Sequence, residues 1–173
     1  VADAIFENRR LASIYDGLDS DRSDLDAYVA LVNEFSAGSV LDIGCGTGTF
    51  ARCGLRVAGC GFRVIGVDPA RASLDVARGM AGADRVRWII GDAMRLPPLS
   101  VDLATMTGNV AQVFLTEDEW GATLRSIRAA LAPGGRLIFE TRNPDRQAWL
   151  DWTRERSHAH TDIHGVGVVE SWV

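Results

Sequence analysis

The chain has 173 residues, 47% of them apolar, so a single domain can bury a core without disulfide or metal staples. Its formal charge is −5 and its basic residues are scattered, which argues against a nucleic-acid backbone as partner and favours a small molecule. No apolar run approaches the roughly 20 residues of a membrane span, and residues 1–10 lack the basic-then-apolar order of a signal peptide, so a cytoplasmic location is expected.

Every cationic side chain apart from histidine is an arginine, which excludes Schiff-base chemistry and a phosphate-binding P-loop lysine. Cys45, Cys53 and Cys60 are an odd number crowded into one stretch, without the spacing of a zinc site or the even count of a disulfide framework. They are expected to be reduced.

In chain order, Ser23 is a candidate N-cap for a helix whose apolar residues Leu25, Tyr28, Val29, Val32 and Phe35 recur at helical spacing, ending near Gly38. From Ser39 onward, strand-like runs alternate with helical patterns, the sign of a parallel sheet built from βαβ units. Strands are predicted at Ser39 to Ile43, Arg63 to Val67, Arg85 to Ile90, Val101 to Met106 and Gly135 to Glu140. Helices are predicted from Thr49 to Gly59 and from Ala70 to Met80, the second opened by Pro69. A third is capped and charged by Thr116, Glu117, Asp118 and Glu119 and ends at Pro133-Gly134-Gly135. After Thr141, one helix over Pro144 to Arg156 and one strand over Val166 to Val173 can be fitted. The chain also begins without methionine, so it is expected to be part of a longer protein.

Three features carry chemistry. The first strand ends in Gly44-Cys45-Gly46-Thr47-Gly48 and enters a helix, so three positions without Cβ lie where the backbone turns tightly and approaches a ligand. The third glycine comes one residue earlier than the dinucleotide fingerprint wants, and residue 49 is threonine, which favours a cofactor without a pyrophosphate; a bland glycine-rich turn is the alternative. Asp68 ends the second strand at the interval expected of an acid that accepts from ribose hydroxyls, with a helix-capping aspartate as the alternative. Gly91-Asp92-Ala93 follows the third strand, where a carboxylate and an amide can meet an adenine; otherwise Asp92 is an ordinary turn residue. Parallel α/β sheets bind ligands outside the carboxyl ends of their strands, so the three features should converge.

From Ser39 to Thr141 the chain resembles the class I S-adenosylmethionine-dependent methyltransferases of the small-molecule type. The matching stretches are Val40 to Phe50, Val64 to Pro69, Gly91 to Ala93, and Leu131 to Gly135. The resemblance implies a Rossmann-like, doubly wound, mostly parallel α/β sheet with helices on both faces. It assigns Asp42 and the backbone of Gly44, Cys45, Gly46 and Gly48 to the methionine part of S-adenosylmethionine. It assigns Asp68, with Pro69 beside it, to the ribose, and Asp92, Ala93 and Met94 to the adenine. The segment from Met106 to Phe114, with Thr107 and Gly108 at its start, looks like the wall shared by cofactor and acceptor, and Asn109 and Gln112 are candidates for orienting the acceptor. Tyr15, next to Asp16, resembles the lid residue of such enzymes; a plain helix contact is the alternative. The resemblance divides one domain into a helical lid over 1–38, a cofactor core over 39–141 and a partial C-terminal region over 142–173. It also implies two strands after the fifth, for which the chain has room for at most one, so the C-terminal edge is expected to be incomplete.

Methyl transfer from a sulfonium is an in-line displacement with a neutral leaving group, so no catalytic triad is required. A hydroxyl or ammonium acceptor would need a base, which no residue pattern identifies. His158, His160 and His164, with Asp162 among them, match no standard ligand spacing and are read as a surface loop, with no metal expected. Two other functions fit part of the pattern. An NAD-dependent oxidoreductase would keep Asp68 but needs glycine at position 49, and a non-catalytic cofactor-binding domain would share every motif.

Overall fold

The structure, a computed structural model, describes residues 3–57 and 63–173. Three helices lead in: α1 (Ala4–Glu7), α2 (Arg9–Leu18) and α3 (Leu25–Glu34). Then come β1 (Ser39–Ile43), α4 (Thr49–Val57), β2 (Arg63–Asp68), α5 (Arg71–Gly79), β3 (Val86–Ile90), β4 (Val101–Met106), α6 (Glu117–Ala130) and β5 (Leu131–Phe139). A short helix, α7 (Arg154–Ser157), precedes the strands β6 (Ala159–Ile163) and β7 (Gly167–Ser171). The main sheet has the order β3-β2-β1-β4-β5, and every neighbouring pair is parallel. The strand order reverses between β1 and β4, which creates the crevice where such sheets take ligands.

Strand periodicity sorts the core onto two faces. Leu41, Ile43, Ala104 and Met106 pack with Ile127 and Ala130 of α6, whereas Val40 and Leu103 pack with Leu25, Tyr28 and Val32 of α3 and Phe50 of α4. All five residues of β1 are buried, as expected of the central strand of a sheet covered on both sides. Thr116 and Glu119 form a reciprocal capping box at the start of α6, as their spacing predicts.

Several expectations require correction. Ser23 does not cap α3 through its side chain; the helix begins at Leu25 after Asp24, which already has helical dihedrals. Helix α6 stops at Ala130, and Pro133-Gly134-Gly135 lie inside β5, where the pairing with β4 shifts register between Val101 and Leu103. Proline is tolerated there because β5 is an edge strand. The helix predicted over Pro144 to Arg156 is broken into 3-10 turns at Pro144–Arg146 and Ala148–Asp151 and the four-residue α7. Gln147, with φ of 47°, interrupts the helical path between the two turns. The stretch read as a histidine-bearing loop is the strand β6, antiparallel to β7, so two strands follow β5 where at most one was expected. They form a hairpin of their own, apart from the main sheet. Cys60 and the predicted helix end at Gly59 lie outside the described residues.

Candidate functional site

At the carboxyl end of β1 the chain turns through Gly44, Gly46 and Gly48, each with positive φ (68°, 52° and 79°). Their surroundings differ. A Cβ on Gly48 would clash with Cη2 of Trp88 and one on Gly44 with Val110, whereas one on Gly46 would meet nothing within 4 Å among the described residues. Gly48 therefore serves packing, Gly44 admits the segment after β4, and Gly46 faces open space. Gly108 (φ 64°) also faces open space across the crevice, and Asn109 beside it has the same φ. Two backbone positions thus leave room for a ligand at the topological switch point.

Three carboxyl groups line this edge. Asp42 is fully buried; Thr105 Oγ1 donates to its Oδ1 at 3.4 Å, and Oδ2 has no partner among the described residues. Burial, and then the charge of Asp68, push its pKa up to about 8, so at neutral pH it is a protonated acid. Asp68 is almost as deep; its Oδ2 accepts from the Gly46 amide at 2.8 Å and its Oδ1 from the Ala70 amide at 2.7 Å. Burial raises its pKa, opposed by those two amides. Asp68 thus steadies the entry to α5 and also reaches the glycine turn, with acceptor capacity remaining on each oxygen. Asp92 is exposed and accepts from the Met94 amide at 2.8 Å, a capping role for the 3-10 turn Ala93–Arg95. The ends of β2 and β3 are joined by the Gly91 amide donating to the Asp68 carbonyl at 3.1 Å.

The other expected site residues fall as follows. Cys45 is buried, and burial and then the Asp42 and Asp68 charges push its thiol up, so it is no nucleophile. Pro69 is exposed, Ala93 is buried, and Met94 lines an open groove with Arg95, Leu96 and α6. Thr107 is buried at the end of β4. The Asn109 amide donates to Oε1 of Glu140 at 3.2 Å. Gln112 is exposed, and its Oε1 accepts from the backbone amide and the guanidinium of Arg142, at 3.3 and 3.2 Å. Tyr15 stands against Phe6, ring centroids 5.3 Å apart, and burial raises its pKa.

Sequence reasoning missed Asp16, Arg52, Trp88, Thr105 and Glu140. Asp16 accepts from the Thr47 hydroxyl and forms an ion pair with Arg52 at 3.3 Å. Trp88 of β3 lies beneath Gly48 and Gly66, its Nε1 donating to the Ala83 carbonyl at 3.0 Å. The Glu140 carboxylate, after burial, holds the Tyr28 phenol protonated. Asp16, Thr105 and Glu140 act through contacts between distant parts of the chain, which carry no local spacing signal.

On the β6–β7 hairpin, register sets His160 opposite Glu170, and ligand atoms of His158, His160 and Glu170 lie within 4.8 Å of one another. Glu170 is already engaged by His158 and, at 3.2 Å, by Arg154, and these contacts lower its pKa. His164 and Asp162 stand outside the cluster.

A family model described as a methyltransferase domain matches residues 40–135. The cypemycin N-terminal methyltransferase of a Streptomyces species is 32% identical over 126 residues, 72% of this chain and 50% of that protein. The 2-phytyl-1,4-naphtoquinone methyltransferase of Thermosynechococcus vestitus is 30% identical over 155 residues, covering 84% of this chain and 66% of the relative. Among solved structures, Streptomyces venezuelae DesVI superposes with a TM-score of 0.69 at 21% identity, covering 89% of this chain and 65% of its own. The chain thus spans about half the length of several curated relatives it matches.

Proposed function

Since the chain belongs to the class I S-adenosylmethionine-dependent methyltransferases, we propose that it transfers the cofactor's methyl group to a small-molecule acceptor in the crevice between β1 and β4. What carries this reading is the combination of open space over Gly46 and Gly108 with a wholly buried acid, Asp42, whose Oδ2 lacks a partner among the described residues. A ligand that fills this space with a hydrogen-bonding end meets both conditions. The residues present fit the family's cofactor.

When bound, S-adenosylmethionine supplies a methyl group on a cationic sulfur that an acceptor displaces in line. The protein's part is to position and to exclude water. Asp42 and the backbone of Gly44, Cys45, Gly46 and Gly48 receive the methionine end. Asp68, with Pro69 at the start of α5, accepts from the ribose hydroxyls, while Asp92, Ala93 and Met94 border the adenine. Thr107 and Gly108 close the methionine side. On the acceptor side stand Asn109 and Gln112. Glu140 and Arg142 hold that segment in place. Tyr15 on α2 covers the crevice from the N-terminal side.

The named acceptors of the relatives are chemically varied, which supports a small-molecule acceptor and leaves its class open. We read the chain as one domain with a lid, a core and a C-terminal hairpin. Among the described residues no helix is long and apolar enough to cross a membrane, which supports the cytoplasmic reading, and the negative charge supports a partner other than nucleic acid. Calorimetry on the whole protein tests the cofactor: S-adenosylhomocysteine is expected to bind and NAD is not. Tighter binding of NAD, or no binding of either methionine-derived ligand, would overturn the reading. Transfer of a labelled methyl group across a panel of small amines, hydroxyls and thiols then identifies the acceptor.

A further inference from the structure

The glycine turn is pinned residue by residue, and one pin comes from outside its βαβ unit. The Gly44 and Cys45 amides share the Val67 carbonyl at 2.8 and 3.2 Å, Gly46 donates to Asp68, and Gly48 donates to the Cys45 carbonyl at 2.8 Å. Thr47 is held from two directions. Its hydroxyl donates to Oδ1 of Asp16 on α2, and its carbonyl accepts from Nη1 of Arg52 at 3.4 Å. Asp16 Oδ1 also accepts from the Thr49 hydroxyl at 3.3 Å, and its Oδ2 from Arg52 Nη2 at 3.3 Å. The Asp16 and Arg52 side chains are only 27% and 19% exposed, so water screens this network less than a surface ion pair. The next residue, Gly17, lies so close to Ile163 of β6 that a Cβ would stand 3.2 Å from its side chain. Helix α2 is thereby fixed between the turn and the hairpin.

We infer that Asp16 is a positioning residue for the cofactor. By fixing Thr47 it holds the backbone on either side, at Gly46 and Gly48, in the conformation that keeps the space over Gly46 open for the ligand. Docking of α2 and binding of the cofactor consequently favour each other, because each stabilises the same conformation of the turn. This role is separate from any cover that Tyr15 provides, and it rests on the reading of the glycine turn as the cofactor cradle.

The test measures S-adenosylhomocysteine affinity by calorimetry in the whole protein and in its Asp16→Ala, Thr47→Val, Thr47→Ser and Asp16→Ala/Thr47→Val variants. Amide exchange of α2 is followed with and without the ligand. Asp16→Ala and Thr47→Val are each expected to weaken binding about tenfold, since each removes the hydrogen bond of the Thr47 hydroxyl to the Asp16 carboxylate. The double variant should be little worse than either single one, and Thr47→Ser, which keeps the hydroxyl, should bind as the parent does. The ligand should slow exchange in α2 of the parent and not of Asp16→Ala. Parental affinity in Asp16→Ala or in Thr47→Val, or losses that simply multiply in the double variant, would overturn the assignment while leaving the cofactor site standing. Failure of the parent itself to bind would remove the cradle and the assignment together. If Asp16→Ala does not fold, the contrast between Thr47→Val and Thr47→Ser decides alone.

Discussion

A wholly buried carboxyl group with an unpaired oxygen is tolerable only in its neutral form, and Asp42 is in that position. Its pKa rises from an ordinary 3.8 when unfolded to about 8 when folded. Between those values the folded state keeps a proton that the unfolded state has released. Stability from this group is therefore undiminished below about pH 4 and is lost as pH climbs towards 8, by about 1.4 kcal/mol per pH unit. Asp42→Asn removes the titration. Urea denaturation should show the parent losing roughly 2.7 kcal/mol relative to the variant between pH 5 and pH 7, and parallel pH profiles would mean that Asp42 is ionised in the fold. The position of Asp42 was legible because it precedes a glycine turn at the end of a strand. Its protonation was not, since that depends on Asp68 and on the depth of the central strand. Asp16 shows the same limit more strongly, because nothing in the sequence around it points to Thr47.

Among the elements, the β1–α4 turn separates two demands that share one residue type. Gly48→Ala places a methyl group against Trp88 at positive φ and should cost about 2–4 kcal/mol of stability. Gly46→Ala meets open space, so it should cost only about 1–2 kcal/mol in backbone strain yet weaken S-adenosylhomocysteine binding about tenfold or more, since the methyl group intrudes on the cradle. Thermal denaturation and calorimetry on the two variants check this, and equal profiles would refute the division. The strands of the main sheet and the capping box of α6 were readable because each is a local pattern, apolar runs in one case and a Thr/Glu spacing in the other. Strand β7 was expected within Val166 to Val173, but β6 escaped because His158-Ala159-His160-Thr161-Asp162-Ile163 alternates among mostly polar residues, with weak apolar contrast between its faces. The start of β5 escaped because Pro133-Gly134-Gly135 reads as punctuation, although an edge strand with a register shift accommodates it.

Across the whole molecule, the parallel sheet supplies a rigid floor, and the pieces that wall its carboxyl edge come from both ends of the chain. The N-terminal α2 bridges the glycine turn and the C-terminal hairpin through the neighbouring residues Asp16 and Gly17. Ile163→Ala should therefore destabilise the fold by about 1–2 kcal/mol, as expected for a partly buried side chain, and should speed amide exchange in α2 more than in β1 or β4. Equal exchange throughout would show that the hairpin does not brace the helix. The topological switch point was foreseeable from the alternation of strands and helices, whereas the bracing was not, because it joins segments nearly a whole chain apart. That separation has a consequence for biosynthesis. Helix α2 leaves the ribosome before the threonine that anchors it, Thr47, and long before the isoleucine that backs it, Ile163. Helix α2 is thus made well before it can be locked, and until Ile163 emerges a nascent chain carries α2 without its backing, open to chaperones and proteases.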